Sequence, residues 1–178
     1  LNGGKVDVLW NGLTITDARK EAMLLSPAYI ANAQVIVVRK DSGIKTLADL
    51  SGKTVALQEA SSADEAYMAC SAAGTEKELV KAPENISLFN DLKIGRIDAV
   101  VIDKVFGDYY IAENGEGLLE ILEEQLADEE YGIAFKKDNQ ELADLVLGAL
   151  DELVKDGTAT QISQKWFGED RILFSYTK

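Results

Sequence analysis

Histidine is absent from the sequence, and Cys70 is its single cysteine. Without histidine there is no imidazole general acid or base, and neither a Ser-His-Asp nor a Cys-His nucleophile pair can form. One cysteine and no histidine also exclude the usual zinc sites within one chain. No intrachain disulfide can close, so the fold is held by its core. Long hydrophobic runs are lacking too. The longest candidate, Ala33 to Val38, has the length of a strand, well short of the ~20 residues that span a bilayer. The chain does not begin with Met and carries no signal-peptide pattern, so it reads as a processed protein or a piece of a longer one. Internal repeats, low-complexity tracts and Pro/Ser-rich linkers are missing as well.

What is present is a globular composition: 178 residues, 47% hydrophobic and 28% charged. That length suits one domain or two small lobes. The 31 acidic against 18 basic side chains give a net charge of −13. Such a chain is repelled by phosphate backbones and by anionic lipid, which argues against nucleic-acid and membrane-surface partners. The acidic surplus itself reads as solvated surface.

Strand and helix patterns alternate along the chain, which points to α/β architecture. Strands are expected at Val6–Trp10, Gln34–Arg39, Thr54–Leu57, Leu79–Ala82, Ile97–Ile102 and Glu130–Lys136, the second of them buried on both faces. A helix over Ser62–Ala73 is expected to start with a capping box of Ser62 and Glu65 and to stop at Gly74. Further helices are expected at Ile86–Ile94 and Val105–Asn114. A long helix capped by Asp138 with Glu141 carries Leu142, Leu145, Val146, Ala149, Leu150 and Leu153 as its apolar stripe, and ends at Asp156-Gly157. A last helix carries Ile162, Trp166 and Phe167. The chain looks as if it crosses between lobes near Val38–Gly43 and again near Glu130–Lys137, the double connection of a hinge.

Three constellations carry chemistry. Asn11, Gly12, Thr14 and Arg19 follow a strand end, where open sheets place ligands. Gly12 permits close backbone approach, Thr14 offers a hydroxyl and an N–H, and the Arg19 fork matches a carboxylate. The same residues also read as a loop followed by a surface arginine. Gln58, Ser61 and Ser62 lie between a strand and a helix N-terminus, which favours an anion; equally, Ser62 caps its own helix. No phosphate-binding glycine pattern is present. Asp103 ends an apolar strand, where a carboxylate is costly unless paired. A ligand ammonium, Lys104 or a role as the next helix's N-cap would each satisfy it. Together these groups could hold a carboxylate and an ammonium, the two charges that an α-amino acid carries on one carbon.

The resemblance then becomes specific. Residues 1–19, LNGGKVDVLWNGLTITDAR, resemble the signature of family 3 solute-binding proteins, the polar amino-acid receptors of ABC importers. Ser26-Pro27-Ala28-Tyr29, the VALQEASS run at 55–62, the GRIDAVVID run at 95–103, the YGIAFK run at 131–136 and the stretch from Asp156-Gly157-Thr158 to Trp166-Phe167-Gly168 resemble further family segments in the family's order. Ala60 departs from the pattern by standing where the family usually has glycine.

The resemblance implies a two-lobed, type II periplasmic-binding-protein-like α/β fold. Residues 1–39 and 131–178 would form lobe 1 and residues 40–130 lobe 2. Lobe 1 is expected to be incomplete at its N-terminus, because family members begin with a β-α-β unit before the position of Leu1. Strand edges and apolar faces left open in that way favour dimerisation or strand swapping. By carry-over, Arg19 would clamp the ligand carboxylate, with the N–H and hydroxyl of Thr14 and an N–H of Ser62. The carbonyl of Gly12 and the carboxylate of Asp103 would receive the ammonium, and Asn11 and Ser61 would line the pocket. Trp10 and Gln58 are weaker candidates. The implied function is extracytoplasmic binding of a polar amino acid by lobe closure, for delivery to ABC permease subunits. The protein would be periplasmic or a surface lipoprotein, with no catalytic residue, metal or cofactor. Alternatives are an amino-acid-sensing domain of a larger receptor and a dehydratase on the same scaffold.

Overall fold

The computed structural model describes residues 1 and 3–175. Asn2 of the leading run and the last three residues of the expected first lobe lie outside that range. The chain divides into two compact units, residues 1–32 with 129–178, and residues 33–128.

The second unit is built on a mixed sheet in the order β5 (Glu78–Ala82), β4 (Thr54–Gln58), β6 (Ala99–Asp103), β3 (Ile30–Arg39), β7 (Leu119–Ile121), with β8 (Ala127–Tyr131) also on β3. β4 runs parallel to β5 and β6, whereas β3 is antiparallel to β6 and β7. Alternate residues of each central strand enter two different cores, as period-2 geometry requires. Ala33, Val35 and Val37 of β3 join Ala56, Val100 and Ile102 on one face, where α3 (Asn85–Lys93) and α4 (Lys104–Tyr110) add Leu88, Phe89, Leu92 and Tyr110. Ile36 and Val38 join Val55, Leu57, Ala99 and Val101 on the other, beneath Ala63 and Tyr67 of α2 (Ser62–Ala69) and Leu50 of a 3₁₀ turn.

These contacts explain where the units divide. The sequence places the boundaries after Arg39 and Glu130, but the chain divides after Asn32 and Asp128. Val35–Val38 are fully buried among β6, β7 and the helices of the second unit, so that half of β3 is part of its sheet.

The first unit has a smaller antiparallel sheet, β1 (Val8–Leu9), β9 (Ala134–Phe135), β2 (Leu24–Leu25), with β9 in the middle. The strand expected over Glu130–Lys136 is therefore two strands, β8 and β9. Short α1 (Asp17–Ala22) lies between β1 and β2 in the chain. α5 (Gln140–Lys155) covers Ile133 and Phe135 with Ala143, Leu147 and Leu150, and α6 (Thr158–Phe167) packs on α5. The expected stripe on α5 is displaced. Leu145 is 67% exposed, whereas Leu147 is 4% exposed. The helix carries apolar residues around most of its circumference, so sequence periodicity alone does not single out the inward face. Trp10 is 51% exposed and meets the Tyr29 ring edge-on at 6.2 Å, so it is not a core residue.

Two caps also shift by one residue. The α2 cap is Ser61, extended at φ −110°, ψ 168°, whose Oγ accepts from the Asp64 N–H at 3.4 Å. Ser62 is already the first helical residue. The α5 cap is Asn139, whose side chain accepts from the Leu142 N–H at 3.3 Å, rather than Asp138. Helix α2 also ends earlier than expected, at Ala69. The helix expected to reach Asn114 leaves α-geometry after Tyr110 and continues as a π turn over Ile111–Gly115.

Two outcomes test these assignments by urea denaturation. Leu147→Ala should cost about 2–5 kcal/mol, while Leu145→Ala should stay within roughly 0.5 kcal/mol of the parent. Ser61→Ala should lose about 1 kcal/mol and Ser61→Asp should retain nearly all of it, since aspartate caps as well as serine.

Candidate functional site

The candidate residues fall into two groups, one in each unit. In the first unit, residues 13–15 run beside residues 130–132. The Ile15 N–H donates to the Glu130 carbonyl at 2.8 Å, and the Gly132 N–H donates to the Leu13 carbonyl at 2.9 Å. This fixes Thr14, 3% exposed, opposite Tyr131. A side chain at position 12 would meet the Tyr131 ring at 3.2 Å, so glycine there keeps the loop against the phenol. The loop is tied a second time where the Tyr29 hydroxyl donates to the Asn11 carbonyl at 3.2 Å. Burial raises the Tyr29 pKa above its ordinary value, opposed by a hydrogen bond with Trp10.

Arg19 sits in the first turns of α1, whose N-cap Thr16 accepts from the Arg19 N–H at 3.3 Å. Its Nη1 donates to the Thr14 carbonyl at 2.7 Å. A main-chain oxygen thus orients the guanidinium, and no carboxylate among the described residues pairs with it. The Thr14 hydroxyl takes a direction that the sequence did not suggest. It donates to Glu129 Oε2 at 2.9 Å, and Asn32 Nδ2 donates to the same oxygen at 3.0 Å. Glu129 and Asn32 escape sequence reading because they meet Thr14 only through the fold, 115 and 97 positions being spanned by these two bonds.

In the second unit, β4 ends at Gln58 and the chain turns into α2. Ala60 has φ +53°, a left-handed conformation that costs a non-glycine residue about 1–2 kcal/mol. This is the position where glycine was expected. The turn is braced by Ser61, whose hydroxyl donates to the Gln58 carbonyl at 2.7 Å. Gln58 is likewise turned to its own unit: its Nε2 donates to the Pro83 carbonyl at 2.9 Å, and its Oε1 accepts from Asn85 at 3.3 Å. Ser62 Oγ accepts from Gln34 Nε2 at 3.2 Å.

Asp103 precedes α4 but makes no side-chain cap hydrogen bond there. Lys104 goes to Asp108 at 2.7 Å. Of the partners considered from sequence, neither the cap nor the neighbouring lysine engages the Asp103 carboxylate. Its Oδ1 accepts from Gln34 Nε2 at 2.9 Å. The structure thus brings Asn11, Gly12, Thr14 and Arg19 together in one unit, and Ser61, Ser62 and Asp103 in the other. The first group presents an oriented guanidinium. The second presents a carboxylate and two serines at a helix start. Among the described residues no group of three or more His, Cys, Asp or Glu side chains is placed to hold a metal ion.

Comparison with known proteins places the chain among its relatives. The L-cystine-binding protein TcyJ of Escherichia coli is 31% identical over 172 residues, covering 96% of this chain and 63% of that protein. The arginine-binding extracellular protein ArtP of Bacillus subtilis is 33% identical over 169 residues, covering 94% of this chain and 65% of that protein. The chain therefore spans less than two thirds of the length of these relatives. The crystal structure of an ABC uptake transporter substrate-binding protein from Streptococcus pneumoniae with bound histidine superposes with a TM-score of 0.88 at 35% identity, covering 98% of this chain and 73% of that one. The fold is that of the type II periplasmic amino-acid-binding proteins. The model of bacterial extracellular solute-binding proteins, family 3, matches residues 1–169, and the chain belongs to that family.

Proposed function

We propose that this chain binds a polar α-amino acid outside the cytoplasm and supports its uptake through an ABC transporter, without performing chemistry. The observation that carries this reading is Arg19. Its guanidinium is oriented by the Thr14 carbonyl at 2.7 Å and has no carboxylate partner among the described residues. A fork held in place by an uncharged oxygen suits an incoming carboxylate. In this reading the Thr14 N–H and an N–H of Ser62 add to Arg19, and Asn11 and Ser61 line the pocket. The Gly12 carbonyl and Asp103 receive the ammonium. The Thr14 hydroxyl, expected from sequence to reach the ligand, instead serves Glu129. Relatives named for cystine, arginine and histidine binding support the ligand class. Location in the periplasm or as a surface lipoprotein, and docking on permease subunits, follow from the same reading.

Self-association is a further part of the proposal. Leu145 and Leu153 of α5, and Ile162 and Trp166 of α6, are exposed on two helices that pack together. A second copy of this chain would cover these exposed side chains by a symmetric pairing of the same two helices. Light scattering at micromolar concentration should report a dimer that Leu145→Lys with Trp166→Lys dissociates; a monodisperse monomer overturns this part.

A thermal-shift panel of the twenty amino acids plus cystine tests the ligand class. An amino acid present at 100 times its Kd should add about 2.7 kcal/mol of stability. Arg19→Ala should cost about 2–5 kcal/mol of binding free energy, the loss expected on truncating one half of a buried charge pair. Arg19→Lys should restore little, because a point charge does not reproduce the two-pronged contact. Undiminished affinity of Arg19→Ala in calorimetry would remove the carboxylate clamp.

A further inference from the structure

We infer that Gln34 is a positioning residue that holds Ser62 and Asp103 in one fixed arrangement; this rests on the reading of Asp103 as the receiver of the ligand ammonium. Gln34 lies in β3, directly opposite Asp103 in the antiparallel pairing with β6. Opposed residues of such a pair point to the same face. That face is the one bearing Ile36, Val38, Ala99 and Val101, and α2 packs on it through Ala63 and Tyr67. Three elements therefore converge: β3 supplies Gln34, β6 supplies Asp103, and the first turn of α2 supplies Ser62.

The Gln34 amide is 0% exposed within a run otherwise made of Ala33, Val35, Ile36, Val37 and Val38. A buried amide is costly unless hydrogen-bonded, and an apolar residue would serve the core equally well. Its polar chemistry instead goes to the two candidate residues. An NH₂ group has two hydrogens; here one goes to Ser62 Oγ at 3.2 Å and one to Asp103 Oδ1 at 2.9 Å. The orientation of the amide follows from charge, since the flipped form would set its oxygen against the Asp103 carboxylate. By donating to Ser62 Oγ, Gln34 also makes that oxygen an acceptor within the unit, so the serine's own hydrogen is directed elsewhere. One neutral side chain thereby fixes the orientation of both a hydroxyl donor and a carboxylate acceptor. The two groups are 41 positions apart in the sequence, Ser62 to Asp103.

The test uses the 178-residue chain with L-arginine, L-histidine and L-cystine as probes, each beside its Nα-acetyl form, which lacks the ammonium. Gln34→Met keeps the volume and removes both donors. It should bind the preferred amino acid at least tenfold more weakly, while the Nα-acetyl form changes less than twofold. In side-chain NMR couplings, χ1 of Ser62 and Asp103 should pass from single rotamers in the parent to averaged values in the variant. A merely structural glutamine would leave the ratio between the two ligand forms and both couplings unchanged, and that result overturns the inference. Should Gln34→Met fail to fold, the parent decides: both hydrogens of the Gln34 side-chain amide should resist exchange, and Ser62→Ala should release one. Rapid exchange of both in the parent overturns the assignment. Asp103→Asn separates the two readings. If it binds as the parent does, the ammonium reading falls, and the couplings and amide exchange judge Gln34. If Asp103→Asn loses binding while Gln34→Met keeps it, only the role of Gln34 falls.

Discussion

Four consecutive side chains of β3, Val35 to Val38, are fully sealed from solvent, and much else in the molecule follows from that burial. Because they alternate between two cores, β3 needs helices on both sides and strands on both edges. β6 and β7 supply the edges, α3 and α4 cover one face, and α2 covers the other. The pairing of β3 with β6 sets Gln34 opposite Asp103, and the packing of α2 brings Ser62 to the same place. A register slip of one residue would turn Gln34 to the opposite face and put Ala33 or Val35 against Asp103. The location of the polar groups is thus a by-product of a constraint that is itself entirely apolar.

Both candidate charges are oriented by uncharged neighbours. A main-chain carbonyl directs Arg19, and a side-chain amide directs Asp103. Each of these two hydrogen bonds fixes geometry through a neutral group and so does not itself cancel the charge it orients. Other lysines and aspartates show the contrast. Lys81 is closed onto both oxygens of Asp64 at 2.7 Å, and Lys104 onto Asp108 at the same distance. Those pairs join opposite charges directly and hold local structure.

Elements with strong local signals were readable from the sequence. The β-branched run of β3, the strand before Asp103 and the helix after Ser61 all appear near their expected positions. What was not readable depends on register or on backbone conformation. Ser61 and Ser62 are chemically identical, and the left-handed turn at Ala60 decides which of them caps α2. Leu145 and Leu147 are likewise indistinguishable until α5 meets β9. Gln34 did carry a signal, a single amide inside an apolar strand, but its partners lie 28 and 69 positions away and are known only once the strands pair. Glu129 carried none, since its hydrogen bonds to Thr14 and Asn32 exist only in the folded unit.

The division of the chain has a consequence for the order in which it can assemble. Residues 33–128 form the second unit without interruption, while the first unit needs both ends of the chain. Its middle strand, β9, comes from Ala134–Phe135, and β1 and β2 have no pairing with each other in the sheet without it. During synthesis β1 and β2 therefore precede their shared partner β9 by the whole of the inner unit. When β8 joins β3, the two ends of that inner unit are brought side by side. The long loop that separates β1 and β2 from β9 is then already closed, and the entropy of closing it need not be met again. The pairing of β8 with β3 thus shortens the loop that the β1–β9–β2 sheet has to close.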